Sequence, residues 1–214
     1  MKIVAISDTH TLHDNVQVPD GDVLIHTGDF TNTGKMEEII RFISWFSYHP
    51  HKHKIIVLGN HEKGFEKNWG VSKSLIPTEI HLLHDSEVVI DGVKFYGSPW
   101  QPEFCNWAFN LPRNGNELEA KWEAIPDNTD VLLTHGPPHG ILDMVRYPYS
   151  TSVLGCEKLR KRVDNMPNLK AHIFGHIHDG YGTTKIGNTQ FVNASICTEG
   201  YAPVNDPIVI EVTV

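Results

Sequence analysis

Residues 174–182, with the sequence FGHIHDGYG, place two histidines, His176 and His178, two positions apart in a glycine-rich turn. The turn follows AHIF, an apolar run that is typical of a buried strand. Two imidazoles at this spacing could bind metal ions, act as general bases or belong to a polar loop. The choice depends on which other side chains the fold brings to the same place.

Four other apolar runs along the chain also end in a polar cluster. The runs are MKIVAIS, DVLIHT, KIIVL and DVLLT. The clusters that follow them are Asp8-Thr9-His10, Gly28-Asp29, Gly59-Asn60-His61 and His135-Gly136. Because the carboxyl ends of neighbouring strands in a layered α/β fold converge on one edge, we expect all five clusters to meet there.

The converging clusters offer two Asp, one Asn and four or five His side chains, and no cysteine. Such oxygen and nitrogen ligands exclude a thiolate zinc site and suit borderline divalent ions such as Mn, Fe, Zn, Co or Ni. Seven candidate ligands are too many for one tetrahedral ion, but they suit two ions that share a bridging carboxylate. Two ions held in this way could bind a phosphoryl oxygen and stabilise the charge of an in-line displacement.

The segments between the clusters predict the elements that position them. MEEIIRFISWFSY has apolar residues at helical spacing from Ile39 to Phe46, and NELEAKWEAI and GCEKLRKRV predict two shorter helices. Asp91-Gly92, between EVVI and VKFYGS, predicts a type I′ hairpin, and Gly187-Asn188 predicts another turn. No repeat, low-complexity tract or linker interrupts the pattern, so we predict one domain over residues 1–214.

Composition narrows the class of protein. The net charge of −8 argues against binding a long nucleic acid by counterion release, although a small anionic substrate is compatible if metal ions supply positive charge. No apolar run approaches the roughly 18 residues that a membrane span needs, and no secretory segment precedes Ile3. The three cysteines are odd in number and widely spaced, so we expect buried inert thiols and a cytoplasmic protein.

Taken in order, Asp-x-His, Gly-Asp, Gly-Asn-His-Glu, His-Gly and Gly-His-x-His resemble the motif series of the calcineurin-like metallophosphoesterase superfamily. The segments LIHTGDFTNTG, HKIIVLGNHE, SPWQPEFCNWAFN, THGPP and FGHIHDGYG further resemble the metallophosphoesterase-domain-containing family, whose mammalian members are small phosphodiesterases. This resemblance covers nearly the whole chain. It implies an α/β fold with a central β-sandwich flanked by helices and a dinuclear metal site at the carboxyl ends of strands.

The resemblance also implies a role for each residue of the clusters. Asp29 would bridge two divalent ions, with manganese favoured, and His61 would act as general acid towards the leaving oxygen. Some relatives lack the first histidine of the last motif and bind metal poorly, whereas His176 is present here. The implied ligands are Asp8, His10 and His178 for the first ion, and Asn60, His135 and His176 for the second.

By the same resemblance, the expected reaction is hydrolysis of small phosphodiesters, such as 2′,3′- or 3′,5′-cyclic nucleotides, by a hydroxide that bridges the ions. A phosphomonoesterase or protein phosphatase is the alternative enzyme, and it needs basic residues to hold a dianion, for which Lys63, Arg113 and Arg146 are the candidates. A non-catalytic scaffold with this fold would show eroded ligands, and here none is eroded.

Other histidines and the aromatic residues carry weaker signals. We expect His26 to be packed beneath the site, residues 49–54 (HPHKHK) to form a solvated loop, and His139 either to line the site or to cap a surface turn. Aromatic side chains near strand ends could stack on a nucleobase, although core packing explains most aromatics. The candidates are Phe30, Trp100, Phe104, Trp107, Tyr147, Tyr149 and Tyr181.

Overall fold

The computed structural model describes residues 1–213. In chain order, the strands β1 to β15 are Lys2–Ile6, Val23–His26, His53–Ile56, Ile80–Leu82, Ser86–Ile90, Val93–Ser98, Gln101–Pro102, Asn110–Leu111, Val131–Thr134, Met144–Tyr147, Ser150–Val153, Ala171–Phe174, Gly182–Ile186, Thr189–Asn193 and Ile208–Glu211. The α-helices α1 to α5 are Met36–Tyr48, Lys63–Lys67, Trp69–Ser74, Asn116–Glu123 and Glu157–Asp164. Two 3-10 turns cover His13–Asn15 and His178–Gly180.

Two mixed sheets form the framework. The first has five strands in the order β15-β1-β2-β3-β4, and the second has six in the order β13-β14-β12-β9-β6-β5. Strands β1, β2 and β3 run parallel to one another, as do β6, β9, β12 and β14. The strands that precede the five polar clusters are therefore β1, β2 and β3 in one sheet and β9 and β12 in the other.

The alternation of side chains along each strand divides the apolar residues between an inner and an outer face. In β1, Ile3 and Ala5 pack against residues of the second sheet such as Phe95 and Leu133, which makes a shared core between the sheets. The intervening Val4 and Ile6 belong to a different apolar cluster on the outer face of the first sheet. The two sheets thus form the predicted β-sandwich.

Helices cover both outer faces. Helix α1 places Phe42 and Phe46 against the outer face of the first sheet. On the second sheet, Trp122 of α4 and Leu159 of α5 pack on Leu132. The resulting order of layers is helix, sheet, sheet, helix, and it confirms the predicted α/β fold.

Local signals for helix ends and turns explain the element boundaries. Helix α1 spans the predicted MEEIIRFISWFSY segment and ends before Pro50, which cannot continue a helix. Asp91 and Gly92 both have positive φ, 46° and 86°, between the antiparallel strands β5 and β6, as the predicted type I′ turn requires. No helix within residues 1–213 is long and apolar enough to cross a membrane.

Candidate metal centre

The backbone bends sharply after three of the site strands. Five residues in these bends have a left-handed φ although none is glycine, and four are predicted ligands: Asp8 at 52°, His10 at 42°, Asp29 at 57° and His176 at 68°, the fifth being Thr11 at 65°. This conformation is uncommon for residues with a side chain, and it persists where the surrounding structure enforces it. The strain therefore coincides with residues that the sequence predicts as metal ligands.

Asp8, His10 and His178 form the first group of possible ligands. Their ligand atoms all lie within 4.8 Å of one another. The Nε2 atoms of His10 and His178 are 3.3 Å apart, and His178 Nε2 is 3.4 Å from Asp8 Oδ1. The His178 Nδ1–H donates to the Thr198 carbonyl at 2.9 Å, which leaves Nε2 free to face the group. Three buried atoms that could each bind a metal ion thus converge on one point.

Asp29, His135 and His176 form a second group with the same spacing. The His135 Nδ1–H donates to the Thr27 carbonyl at 2.9 Å, so its Nε2 points towards Asn60 Oδ1 at 3.0 Å and Asp29 Oδ2 at 3.2 Å. A neutral imidazole with this tautomer would direct a lone pair at two oxygen atoms. A cation between these atoms would remove the repulsion.

The buried carboxylates of the site also stabilise positive charge on the groups around them. Burial opposes ionisation of Asp8, but the neighbouring His178, with Nε2 3.4 Å from Oδ1, holds the pKa of this carboxyl well below the usual range. Burial also opposes a charge on His135 and His178, yet Asp29 and Asp8, respectively, raise the pKa of each to about 9. Without a cation these two histidines would hold a second proton, and a divalent cation attracted by the same carboxylates would displace it to bind the neutral imidazoles.

The residues present fit two divalent ions. Asp8 Oδ1 is buried and has no hydrogen-bond partner among residues 1–213, as expected of an oxygen reserved for a metal. Burial lowers the pKa of His10 to about 4 and of His176 to about 3, which favours the neutral imidazole that binds metal. Asp29 belongs to the second group and also lies within 4.8 Å of the ligand atom of His10, a member of the first group, so its position suits a bridging carboxylate.

His61 lies beside both groups. Its backbone N–H donates to Asp29 Oδ1 at 2.8 Å, and its Nδ1–H donates to the Asn32 carbonyl at 2.7 Å. The Nε2 atom is 3.9 Å from Asp29 Oδ2, and His61 also forms a compact group with His10 and Asp29. Its ring stacks on Trp107 with 4.2 Å between centroids and 28° between planes, so the imidazole is held in one orientation.

Glu62 is a positioning residue that the sequence motif contained without an assigned role. Its buried carboxylate accepts N–H hydrogen bonds from Asp29 at 2.8 Å, Gly59 at 2.7 Å and Thr31 at 3.0 Å, and the Thr31 hydroxyl donates at 2.9 Å. These bonds join the loop after β2 to the loop after β3. Burial and the nearby Asp29 raise the pKa of Glu62 to about 7.

Two glycines permit the close approach of neighbouring loops. A Cβ atom on Gly175 would overlap Asp8 Oδ2 and the Ser7 hydroxyl, so only glycine fits between β12 and the first ligand group. Gly28 has a φ of 107°, and a Cβ there would lie 2.6 Å from His135 Nδ1. Both residues are needed because the backbone itself borders the site.

A cavity of about 400 Å³ opens from the ligand groups. Besides the predicted ligands, its walls include Tyr201, whose ring centroid is 4.7 Å from that of His10. No motif in the sequence pointed to Tyr201, which lies far from the other site residues along the chain. Its loop reaches the site because β14, which precedes it, runs parallel to β12.

Several secondary expectations have mixed outcomes. His26 is buried and hydrogen-bonded to Thr9 Oγ1 at 3.0 Å, beneath the site as expected. His51 is also buried and contacts the Pro19 carbonyl, and His53 and Lys54 belong to β3, so the prediction of a solvated loop over residues 49–54 is wrong at these positions. Phe30 is a core residue stacked on Phe42, which excludes it as a substrate contact.

The positions of the three cysteines and of His139 decide two further expectations. Cys105 is exposed, whereas Cys156 and Cys197 are buried, so the expectation of buried thiols holds for two of the three cysteines. His139 is half-buried, and its Nδ1 lies 3.9 Å from Glu157 Oε1. His139 is not part of the cavity wall.

The sequence of this chain is similar to those of several known proteins. Residues 1–180 match the calcineurin-like phosphoesterase family. Metallophosphoesterase domain-containing protein 1 of Homo sapiens and that of Mus musculus are each 44% identical to it over 98% of this chain and 70% of the relative. A UPF0046 protein of Caenorhabditis elegans is also 44% identical, over 98% of this chain and 74% of the relative. The chain is a metal-dependent phosphoesterase and belongs to the calcineurin-like phosphoesterase family.

Proposed function

We propose that the chain is a two-metal phosphodiesterase that hydrolyses small phosphodiesters, such as 2′,3′- or 3′,5′-cyclic nucleotides. The observation that carries this proposal is the charge of the cavity wall. Among the described residues that line it, Arg113 is the only lysine or arginine. Its guanidinium donates to the Gly155 and Leu154 carbonyls and to Glu157, at 2.8 to 2.9 Å.

A phosphodiester carries one negative charge and a phosphomonoester carries two near neutral pH. With Arg113 engaged and the acidic Glu103 and Glu199 on the wall, the metal ions would have to balance the substrate charge alone. This favours the monoanionic diester over a monoester or a phosphoprotein. The overall charge of −8 likewise favours a small substrate over a long nucleic acid.

The ligand groups suggest how the chain would hold the ions. Asp29 would contact both, and the mixed oxygen and nitrogen ligands suit borderline divalent ions, of which manganese is our proposal. Bound ions supply Lewis-acid stabilisation of phosphoryl charge and an acidified water. The proposed ligands are Asp8, His10 and His178 for one ion, and Asn60, His135 and His176 for the other.

His61 would deliver a proton to the leaving oxygen. Because its Nδ1–H is committed to the Asn32 carbonyl, the proton to be transferred is the one on Nε2, the atom that faces Asp29. Replacement of His61 by alanine should leave metal content unchanged and lower turnover roughly 10²- to 10⁴-fold. Loss of metal in this variant would make His61 a ligand instead and refute its role as the acid.

The test of the proposed function is a side-by-side screen on the manganese-reconstituted protein. Cyclic nucleotides, dinucleotides and phosphomonoesters are compared at equal concentration, and chelation should abolish activity that manganese then restores. We expect diesters to be turned over faster than monoesters. A preference for monoesters would overturn the proposal in favour of a phosphatase.

Metal analysis of Asp29→Asn tests the bridging carboxylate independently of substrate. We expect both ions to be lost or weakened, since one side chain serves both. Asp22→Asn is the matched control because Asp22 also follows a glycine, but it lies at the other end of β2, where its carboxylate accepts the Lys2 N–H at 2.7 Å. Loss of only one ion in Asp29→Asn would contradict the bridge.

A further inference from the structure

We propose that the cavity beside the ligand groups binds the nucleoside portion of the substrate, with Phe104 and Tyr147 contacting the base and Gln101 accepting a hydrogen bond from the nucleoside. This inference rests on the proposed phosphodiesterase function. It extends that function to recognition of a part of the substrate that lies away from phosphorus.

Gln101 provides a polar atom that lacks a partner. The residue is 1% exposed and lines the cavity, and its Oε1 has no hydrogen-bond partner in the part of the chain that the structure describes. Buried amide oxygens are normally satisfied, because leaving one without a donor costs free energy. A hydroxyl or N–H of a bound ligand would satisfy this oxygen.

The orientation of the Gln101 amide follows from its neighbours. Gln101 Nε2 donates to Asn110 Oδ1 at 3.1 Å, and Asn110 Nδ2 donates to the Phe104 carbonyl at 2.8 Å. A carbonyl can only accept, so this chain of bonds assigns the nitrogen and oxygen atoms of both amides. The atom of Gln101 that is left without a partner is therefore an acceptor, and the complementary ligand group is a donor.

Two exposed aromatic side chains line the same cavity. Phe104 is 48% exposed and Tyr147 is 49% exposed. They come from separate segments: Phe104 lies between β7 and β8, and Tyr147 is the last residue of β10. The Phe104 ring centroid is 6.0 Å from that of His176, so this apolar surface is continuous with the ligand groups. Exposed aromatics beside a polar site are typical of a surface that binds a flat ligand.

The size and chemistry of the cavity fit a nucleoside. Its volume of about 400 Å³ lies within the range of small-molecule sites, and Val145 and Leu154 add to its apolar wall. Stacking on an aromatic ring is favourable for every base, because each base has a π-face. We therefore expect a preference for nucleosides over ligands without a base, with little discrimination among bases.

The test compares two substrates that differ in the nucleoside. 2′,3′-Cyclic AMP and glycerol 1,2-cyclic phosphate share a five-membered cyclic phosphodiester, but only the first has a base. On the manganese-loaded full chain, kcat/KM should favour the nucleotide. Phe104→Ala, Tyr147→Ala and Gln101→Leu should each reduce this preference through KM, roughly 5- to 100-fold for the two aromatic residues.

Matched variants separate the inference from general damage. Tyr149→Ala is the control, since Tyr149 lies on the same hairpin as Tyr147 but is fully exposed and does not line the cavity. It should retain the preference of the unmodified chain. Phe104→Leu keeps the apolar bulk of the side chain but removes its π-face. It therefore tests stacking even if Phe104→Ala misfolds. We expect a loss of preference in Phe104→Leu as well.

The outcomes distinguish this inference from the proposed function. Equal kcat/KM for the two cyclic diesters in the unmodified chain would overturn the nucleoside site and leave the phosphodiesterase assignment intact. Hydrolysis of neither diester, with manganese bound, would refute both. A preference that survives all three cavity substitutions would show that the nucleoside binds elsewhere and overturn the inference.

Discussion

Replacement of Glu62 by glutamine should damage the centre without removing any proposed ligand. The Glu62 carboxylate accepts four hydrogen bonds: Oε2 from the Asp29 and Gly59 N–H groups, and Oε1 from the Thr31 N–H and hydroxyl. All four partners donate, so the amide nitrogen of glutamine must face donors at one of the two positions. Steric fit is preserved, and only the hydrogen bonding and the charge change.

The free-energy cost of Glu62→Gln follows from whichever orientation of the glutamine amide loses fewer hydrogen bonds. If the amide nitrogen faces Thr31, the hydroxyl can rotate to accept from it, because the hydroxyl is also 3.2 Å from the His61 carbonyl and can donate there. The Thr31 N–H then has no acceptor, and a buried unsatisfied donor costs about 1–3 kcal/mol. The hydrogen bonds from the Asp29 and Gly59 N–H groups remain, but their acceptor is then a neutral amide oxygen in place of a carboxylate, so they are weaker. We expect a total loss of about 2–4 kcal/mol in the free energy of unfolding.

Urea unfolding in the presence of a chelator at pH 8, above the pKa of about 7, measures this loss on the ionised carboxylate. Glu38→Gln is the control, since Glu38 Oε2 accepts three bonds from Thr33 and Lys35 near the start of α1. There the amide oxygen can take all three bonds while the nitrogen faces solvent, so the loss should stay below about 1 kcal/mol. Equal losses in the two variants would refute the reasoning.

Metal affinity provides a second measure of the same variant. The Asp29 and Gly59 loops are tied together by Glu62, so weakening that tie should misplace the proposed bridging carboxylate. Substitutions of residues that orient metal ligands reduce metal affinity by about 10- to 100-fold. Titration of Glu62→Gln with manganese should therefore give a weaker dissociation constant. An unchanged constant would mean that the two loops hold their geometry without Glu62.

Three other perturbations probe separate parts of the molecule. Gly175→Ala should lower stability by about 1–3 kcal/mol and weaken metal binding, because the new Cβ overlaps the Asp8 carboxylate; unchanged metal content would contradict this. Trp107→Leu should lower kcat about 10-fold with little effect on KM or metal content, since His61 loses its stacking partner, and a change confined to KM would argue against this role. Burial lowers the pKa of His172 from 6.5 to about 3. Its contribution to stability is therefore complete above pH 6.5 and falls by about 2 kcal/mol between pH 7 and pH 5, a loss that urea curves of His172→Gln should lack.

The loops that surround the centre were only partly predictable. Phe30, one of the candidate aromatic contacts, is buried against α1, because the loop after β2 returns to the core before it reaches the cavity. Conversely, Tyr201 lines the cavity although no motif marked it, and Gln101 does so although the SPWQPEFCNWAFN segment gave it no role. Their positions depend on how distant loops pack around the strand ends, which local spacing does not encode.

The sequence by itself determined the strands that precede the site, the three longer helices and the candidate ligand types. Buried strands followed by Asp, Asn or His are visible as apolar runs that end in polar clusters, and the helix and hairpin signals act over a few residues. Only the tertiary structure decided which side chains meet and how they are held. The tautomer of His135 is set by the Thr27 carbonyl, and the bonds that Glu62 accepts from Asp29 and Thr31 also join residues far apart in sequence. These contacts exist because strands within each sheet and the two packed sheets bring their carboxyl ends together, and no local interaction specifies that arrangement.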